Sequence, residues 1–249
     1  MTRNITTFNT RSDDYRRHRP VYPEKLYENL YAVGTGFDRA WDCGCGNGQV
    51  AAVLAERFAS VIASDISENQ LAHAVRAPNI DYRCEGVVDT GIGNASVDLI
   101  CAAQSLHWFD LDRYFDEIRR VAKPGAVFAF WGYGFFSIDG ALDEIIGKLL
   151  LQPIDRFWAP GNRMVINRYR DLTVPFRRLK FPPVAMVVEW DLDELIGYYG
   201  TWSAVKLYQE REDSGVLDLL RKELERYWPP GERKSIDMNL TVYVYRVKE

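Results

Sequence analysis

The sequence predicts an α/β fold, a parallel sheet with helices packed on its faces. Short apolar runs alternate with stretches whose apolar residues recur at helical spacing. Val97-Asp98-Leu99-Ile100-Cys101-Ala102-Ala103 is a nearly continuous apolar run, the pattern of a strand buried on both faces of a parallel sheet. Ala40-Trp41-Asp42-Cys43 leads directly into Gly44-Cys45-Gly46-Asn47-Gly48-Gln49 and then into a helical pattern. A strand, a glycine-rich turn and a helix form a ligand cradle at the carboxyl edge of such a sheet.

Composition narrows the class. At 249 residues the chain can form one large α/β domain with insertions, or two small ones. Its net charge of −4 speaks against a general nucleic-acid binder, so no nucleic-acid partner is expected. No apolar run approaches the roughly 18 residues a membrane helix needs, and no apolar segment of a signal peptide follows Met1-Thr2-Arg3-Asn4. A cytoplasmic protein without a membrane partner is the expectation. Cys43 and Cys45 form C-x-C, not the C-x2-4-C of zinc sites, so no metal is expected. All of the cysteines, with Cys84 and Cys101, are expected to be buried reduced thiols.

Along the chain, Pro20 and Pro23 prevent one continuous helix before Glu24, where a helix begins with Leu26, Tyr27 and Leu30 on one face. The glycine turn reads G-x-G-x-G, whereas a dinucleotide turn reads G-x-G-x-x-G; Gln49 stands in the third glycine's place. Asp42 just ahead of the turn would repel a pyrophosphate but attract an ammonium or sulfonium group. That favours a cationic amino-acid cofactor over NAD. Val50, Val53, Leu54 and Phe58 continue as a helix, and Ser60-Val61-Ile62-Ala63-Ser64-Asp65 is a second strand ending in an acid. A carboxylate at that place can accept both hydroxyls of a ribose, or else simply cap the next helix. Ser67 with Gln70 forms a capping box for the next helix.

Ile80–Cys84 alternates as a third strand, and Val97–Ala103, the fourth, ends at Gln104-Ser105-Leu106-His107-Trp108. Open α/β sheets hold ligands at such strand ends, which makes His107 and Trp108 candidates for the substrate mouth. His107 is a candidate general base, or else a structural residue at the head of the next helix. That helix carries Leu111, Phe115, Ile118 and Ala122 and stops at Lys123-Pro124-Gly125 before a fifth strand, Ala126–Trp131. From Gly132 to about Phe181 the alternation breaks, and Arg156, Arg163, Arg168, Arg170, Arg177, Arg178 and Lys180 accumulate among aromatics, either a cap that attracts anions or a solvated face with ordinary surface pairs. Phe181–Trp190 and Thr241–Val247 are expected as strands six and seven, with helices at 192–199, 202–211 and 216–227.

On these residues the chain resembles the class I S-adenosylmethionine-dependent methyltransferases. Ala40–Gln49 is similar to their motif I, and Tyr15, Arg19, Pro20, Tyr22 and Pro23 match a Tyr-x-x-x-Arg-Pro-x-Tyr-Pro segment that covers the cofactor in relatives. Pro175-Phe176 and Thr201-Trp202-Ser203-Ala204-Val205 resemble the trans-aconitate methyltransferase-like branch. The resemblance implies a Rossmann-like, seven-stranded, mostly parallel sheet with its last strand antiparallel and a cap inserted after strand five. One domain, 1–249, would hold a lid and helix (1–35), a cofactor core (36–131), a substrate cap (132–180) and the C-terminal part of the sheet with its helices (181–249).

The implied cofactor is S-adenosyl-L-methionine. By the same resemblance it is held by Tyr15, Arg19, Asp42, Gly44, Cys45, Gly46, Gln49, Asp65, Ile66, Gln70, Val87, Val88, Gln104 and Ser105. Relatives often place an acid after strand three for the adenine amino group. Here Gly86-Val87-Val88 stands there, with Glu85 displaced upstream, and backbone near Val87, or Asp89, is the candidate substitute. The implied substrate residues are His107, Trp108, Trp131, Arg168 and Trp202. The expected reaction is methyl transfer to a small molecule, with O-methylation of a trans-aconitate-like carboxylic acid as the leading form. A phenol or amine acceptor, which would need His107 as base, and a cofactor-binding regulator without catalysis remain alternatives.

Overall fold

The computed structural model describes residues 19–212 and 214–249. Its central sheet has seven strands. In chain order β1 is Arg39–Cys43, β2 Ser60–Asp65, β3 Ile80–Cys84, β4 Val97–Ala103 and β5 Ala122–Gly132. The remaining strands are β6 Arg177–Arg178, β7 Val187–Trp190, β8 Lys234–Asp237 and β9 Thr241–Arg246. The sheet order is β3-β2-β1-β4-β5-β9-β6, with β1 to β5 parallel and β9 antiparallel to both its neighbours.

Alternation along the central strands splits the core between the two sheet faces. Ala40, Leu99, Cys101, Val127 and Ala129 join one apolar cluster, with Leu26, Leu30 and Leu54. Trp41, Ile100, Ala102, Phe128 and Phe130 join the other, with Tyr114, Phe115 and Ile118. The covering helices include α1 (Glu24–Val33), α2 (Gln49–Ala55), α3 (Glu68–Ala72) and α4 (Leu111–Val121). The third strand is the least buried of the five parallel ones, as its place at the sheet edge dictates.

After β5 the chain forms α5 (Gly140–Ile146), extended by a π turn at Gly147–Leu151, and then α6 (Asn162–Ile166). Later come α7 (Leu192–Gly200), α8 (Ser203–Glu212) and α9 (Val216–Leu224); α8 and α9 pack on the 140–157 segment, and α7 packs on α8 and α9. The expected strand six at Phe181–Trp190 does not join the main sheet. Pro182 and Pro183 lack the amide donors of an interior ladder. Val187–Trp190 instead pairs antiparallel with β8 in a separate ribbon, and the two-residue β6 takes the edge of the main sheet. One cysteine also differs from expectation. Cys43, Cys45 and Cys101 are buried, whereas Cys84 on the edge strand is exposed. Among the described residues no helix is long and apolar enough to cross a membrane.

Candidate active site

β1 lies between β2 and β4, so chain connections leave it in opposite directions. This reversal opens a crevice at the carboxyl ends of β1 and β4. The glycine turn closes β1 there, and Gln104–Trp108 closes β4. The turn is pinned to the sheet, since the amides of Gly44 and Cys45 both donate to the Ser64 carbonyl, at 2.8 and 3.0 Å. Gly44 has φ +65°, and a Cβ on it would stand 2.7 Å from that of Ser105. Gly48, with φ +77°, leaves no room for a Cβ beside the Tyr82 hydroxyl. Both positions therefore require glycine.

Asp42 is 1% exposed. Its Oδ2 accepts the Ala51 amide of α2 at 3.0 Å, which supplies the helix cap that Gly48 has no side chain to make. Its Oδ1 is buried without a partner. Burial above all, and the Asp65 carboxylate besides, push the Asp42 pKa up to about 7. Asp65 accepts the Gly46 amide on Oδ2 and the Ser67 amide on Oδ1, each at 2.8 Å, which orients the carboxylate at the turn. Burial raises its pKa as well. Because Asp65 takes the Ser67 amide, only one arm of the expected capping box is seen: the Ser67 hydroxyl accepts the Gln70 amide. The Gln70 Oε1 is buried without a partner.

Several expected cofactor residues serve to build the cradle. The buried Ser105 hydroxyl donates to the Cys43 carbonyl at 2.7 Å, locking the end of β4 against the end of β1. Gln104 clasps the Tyr133 backbone through both ends of its amide, at 2.9 and 3.1 Å. Gln49 donates to the Pro20 carbonyl and so ties the segment ahead of α1 to α2. Cys45 and Val87 are buried in the two core clusters, Val88 is half-buried against one of them, and Ile66, past Asp65, is 54% exposed. The Asp89 side chain is turned outward to Arg113, at 2.5 Å. Tyr15 lies outside the described residues.

Beyond the cradle lies a cavity of about 110 Å³. Arg19, Gln70, Gln104, His107, Trp108 and Trp202, all singled out in the sequence, line it together. Two expected substrate residues do not. Trp131 is fully buried under Tyr22, in edge contact at 5.7 Å. Arg168 takes a left-handed backbone conformation, with its carbonyl accepting the Tyr243 hydroxyl, away from the cavity wall. The other cap arginines are also absent from the wall: Arg156 pairs with Glu212, Arg163 with Asp155, Arg177 with Glu249, and Arg178 lies over the Tyr243 ring.

Sequence reasoning missed Tyr133, Phe135, Trp158, Asn162, Tyr198 and Lys206, which complete much of the wall. A signal existed for two of them. Tyr198, Trp202 and Lys206 recur at intervals of four residues, a helical spacing, although the helix breaks between Gly200 and Ser203. Arg19 reaches the Tyr133 hydroxyl at 3.5 Å and lies 5.5 Å over the Tyr198 ring. His107 is half-buried, with its Nδ1 sealed from water and unpartnered. Burial first, then the Arg19 charge, lower its pKa to about 3, so the imidazole is neutral.

Residues 41–130 match the methyltransferase domain family. An uncharacterized methyltransferase of Schizosaccharomyces pombe is 30% identical over 247 residues, 96% of this chain and 95% of that protein. This chain belongs to the class I S-adenosylmethionine-dependent methyltransferases. A solved structure of a protein from Anaeromyxobacter dehalogenans, named as a type II methyltransferase, superposes with a TM-score of 0.84 at 38% identity, over 92% of this chain and 98% of that one. A protein named as a methyltransferase in Dictyostelium discoideum is 28% identical, covering 97% of this chain and 94% of its own.

The cradle of this methyltransferase fits its cofactor. The unpartnered Asp42 Oδ1 suits a cationic amino-acid group, and Asp65 presents carboxylate oxygens for hydroxyls at the end of β2. The exposed Ile66 offers an apolar face beside it.

Proposed function

We propose that this methyltransferase methylates a carboxylate oxygen of a small anionic acid. One observation carries the reading: the cavity beside the cradle presents Arg19 and Lys206, while no Asp or Glu lines it among the described residues. Cationic side chains in a cleft with low-dielectric walls attract anionic ligands. The bound cofactor supplies a methyl group on a positively charged sulfur, and hence the electrophile. The chain must hold the acceptor in line, about 3–3.5 Å from that carbon. Lys206, together with Arg19, which the sequence assigns to the cofactor but which reaches this cavity, would orient the carboxylate by charge-assisted hydrogen bonds. The aromatic wall would keep water from the reacting atoms.

The state of His107 favours a carboxylate over a phenol or amine. An acid with a reference pKa near 4 is already ionised at neutral pH and needs no base. An imidazole whose pKa has fallen to about 3 is a poor acceptor for a proton held far more tightly.

The test is transfer of labelled methyl to trans-aconitate and other small carboxylic acids by the wild type, Asp65→Ala and His107→Ala. Transfer should collapse in Asp65→Ala and fall less than about tenfold in His107→Ala. The labelled product should release methanol in mild alkali, as an ester does and an ether does not. Alkali-stable product, or a thousandfold loss in His107→Ala with cofactor binding intact, counts against the carboxylate reading.

A further inference from the structure

Two side chains in the wall of the acceptor cavity share one polarity. His107 lies on the short turn Leu106–Trp108 that follows β4, and Asn162 ends the 159–162 turn of the cap. The Asn162 amide closes that turn on the Ala159 carbonyl at 2.9 Å. The two turns pack without space between them, since a Cβ on Gly161 would collide with the His107 carbonyl. This contact brings Asn162, the next residue, and His107 to the same part of the wall, and both line the cavity.

Each of the two buries one polar atom and leaves the other open. The His107 Nδ1 and the Asn162 Oδ1 are sealed from water with no hydrogen-bond partner. The His107 Nε2 and the Asn162 Nδ2 are not sealed, and no described residue bonds them. An orphaned acceptor is commoner in protein interiors than an orphaned N–H. A sealed lone pair on Nδ1 leaves the His107 proton on Nε2. The Asn162 oxygen lies inside for the same reason: with the amide reversed, two hydrogens would be sealed without an acceptor. Both open atoms are therefore donors. Neither carries charge, because burial first and the Arg19 charge second keep the imidazole neutral. Arg19 and Lys206 are the charged side chains of the described wall, and Tyr133 and Tyr198 are its other titratable ones.

We propose that His107, through Nε2–H, and Asn162, through Nδ2–H, form a pair of uncharged hydrogen-bond donors for the oxygen atoms of the methyl acceptor. In a pocket with mostly apolar walls, a few such groups fix the orientation of the ligand. The pair fits an acceptor whose facing atoms accept hydrogen bonds, as both oxygens of a carboxylate do, and disfavours a protonated amine, which only donates. His107 then holds the acceptor as a donor and takes no proton from it. The assignment rests on the carboxylate reading above for the identity of those oxygens, and the tests separate the two.

Nitrogen-15 spectra of the imidazole rings read the tautomer directly, with His107→Gln assigning its signal among the three histidines. The His107 ring should stay in the neutral Nε2–H form from about pH 5 to pH 8. A ring protonated on Nδ1, or one that titrates near its reference pKa of about 6.5, overturns the assignment. Two substitutions read the donor role of Asn162 against whichever carboxylic acid is methylated. Asn162→Ala should raise KM about three- to tenfold, with kcat within about twofold and S-adenosylhomocysteine binding unchanged. Asn162→Asp is nearly isosteric but sets a carboxylate against the acid, so KM should rise at least about tenfold further. An Asp variant equal to or better than the Ala variant means that this position accepts, and overturns the pair. Alkali-stable product with the expected ranking of variants removes the carboxylate reading and keeps the pair. If no acid is methylated, the carboxylate reading falls, and the ring spectrum alone upholds or overturns the donor assignment.

Discussion

Asp42 shows how one side chain can hold structure and ligand chemistry at once. Its position ahead of the glycine turn was legible in the sequence, and its reading there was electrostatic. The structure adds that one oxygen caps α2 while the other is buried unpartnered. The carboxyl's folded pKa of about 7 lies above its unfolded value near 3.8. The stability it contributes is therefore fully present below about pH 4 and is lost as pH rises through 7, because the unfolded chain binds fewer protons in that window. At roughly 1.4 kcal/mol per pKa unit, the loss for the cofactor-free protein is of the order of a few kcal/mol. Asp42→Asn keeps an acceptor for the Ala51 amide and removes the titration. Urea unfolding at pH 4 and pH 8 should show the wild type losing several times more stability than the variant. Equal losses in the two proteins would mean that Asp42 is already ionised in the fold.

At the scale of elements, the helices that carry the cavity wall owe their ends to short-range chemistry. Asp191 forms a complete capping box on α7: its side chain accepts the Glu194 amide, and the Glu194 side chain accepts the Asp191 amide, both at 2.9 Å. Asp191→Ala should cost about 1 kcal/mol of stability, read from a denaturant midpoint, with the slope unchanged. A change under a few tenths of a kcal/mol would show that tertiary packing alone sets the start of α7. Helix ends of this kind, like strands β2, β3 and β4, were readable because their determinants lie within a few residues. β6 and β7 were not. Whether Val187–Trp190 meets β8 or β9 depends on chain more than 40 residues away, and the two-residue Arg177–Arg178 strand carries no periodicity to detect.

Over the whole molecule, the crevice exists because β1 is flanked by β2 and β4, and residues from both strand ends converge there. Cofactor binding should therefore stabilise the fold as a unit. S-Adenosylhomocysteine at about 100 times its Kd adds ~2.7 kcal/mol. At roughly 2–4 °C per kcal/mol for a protein of this size, Tm should rise by about 5–10 °C. NAD at the same concentration should leave Tm unchanged, and so should S-adenosylhomocysteine added to Asp65→Ala. An equal rise with NAD would contradict the reading of the G-x-G-x-G turn.

The sequence by itself determined the parallel sheet, the cradle and the class of cofactor. These rest on local patterns: alternating and continuous apolar runs, glycines where the backbone must take positive φ, and acids at the ends of β1 and β2. It also marked His107 and Trp108, since a strand end is a local property too, and the family resemblance added Trp202. Only the tertiary structure decided which side chains meet across the cap. It sent the cap arginines to surface partners, buried Trp131 in the core, and brought Phe135, Trp158, Tyr198 and Lys206 together from separate segments. A cavity is a property of distances between segments far apart in the chain, and no local pattern encodes those distances. The cofactor is thus written in the motif, and the acceptor in the packing.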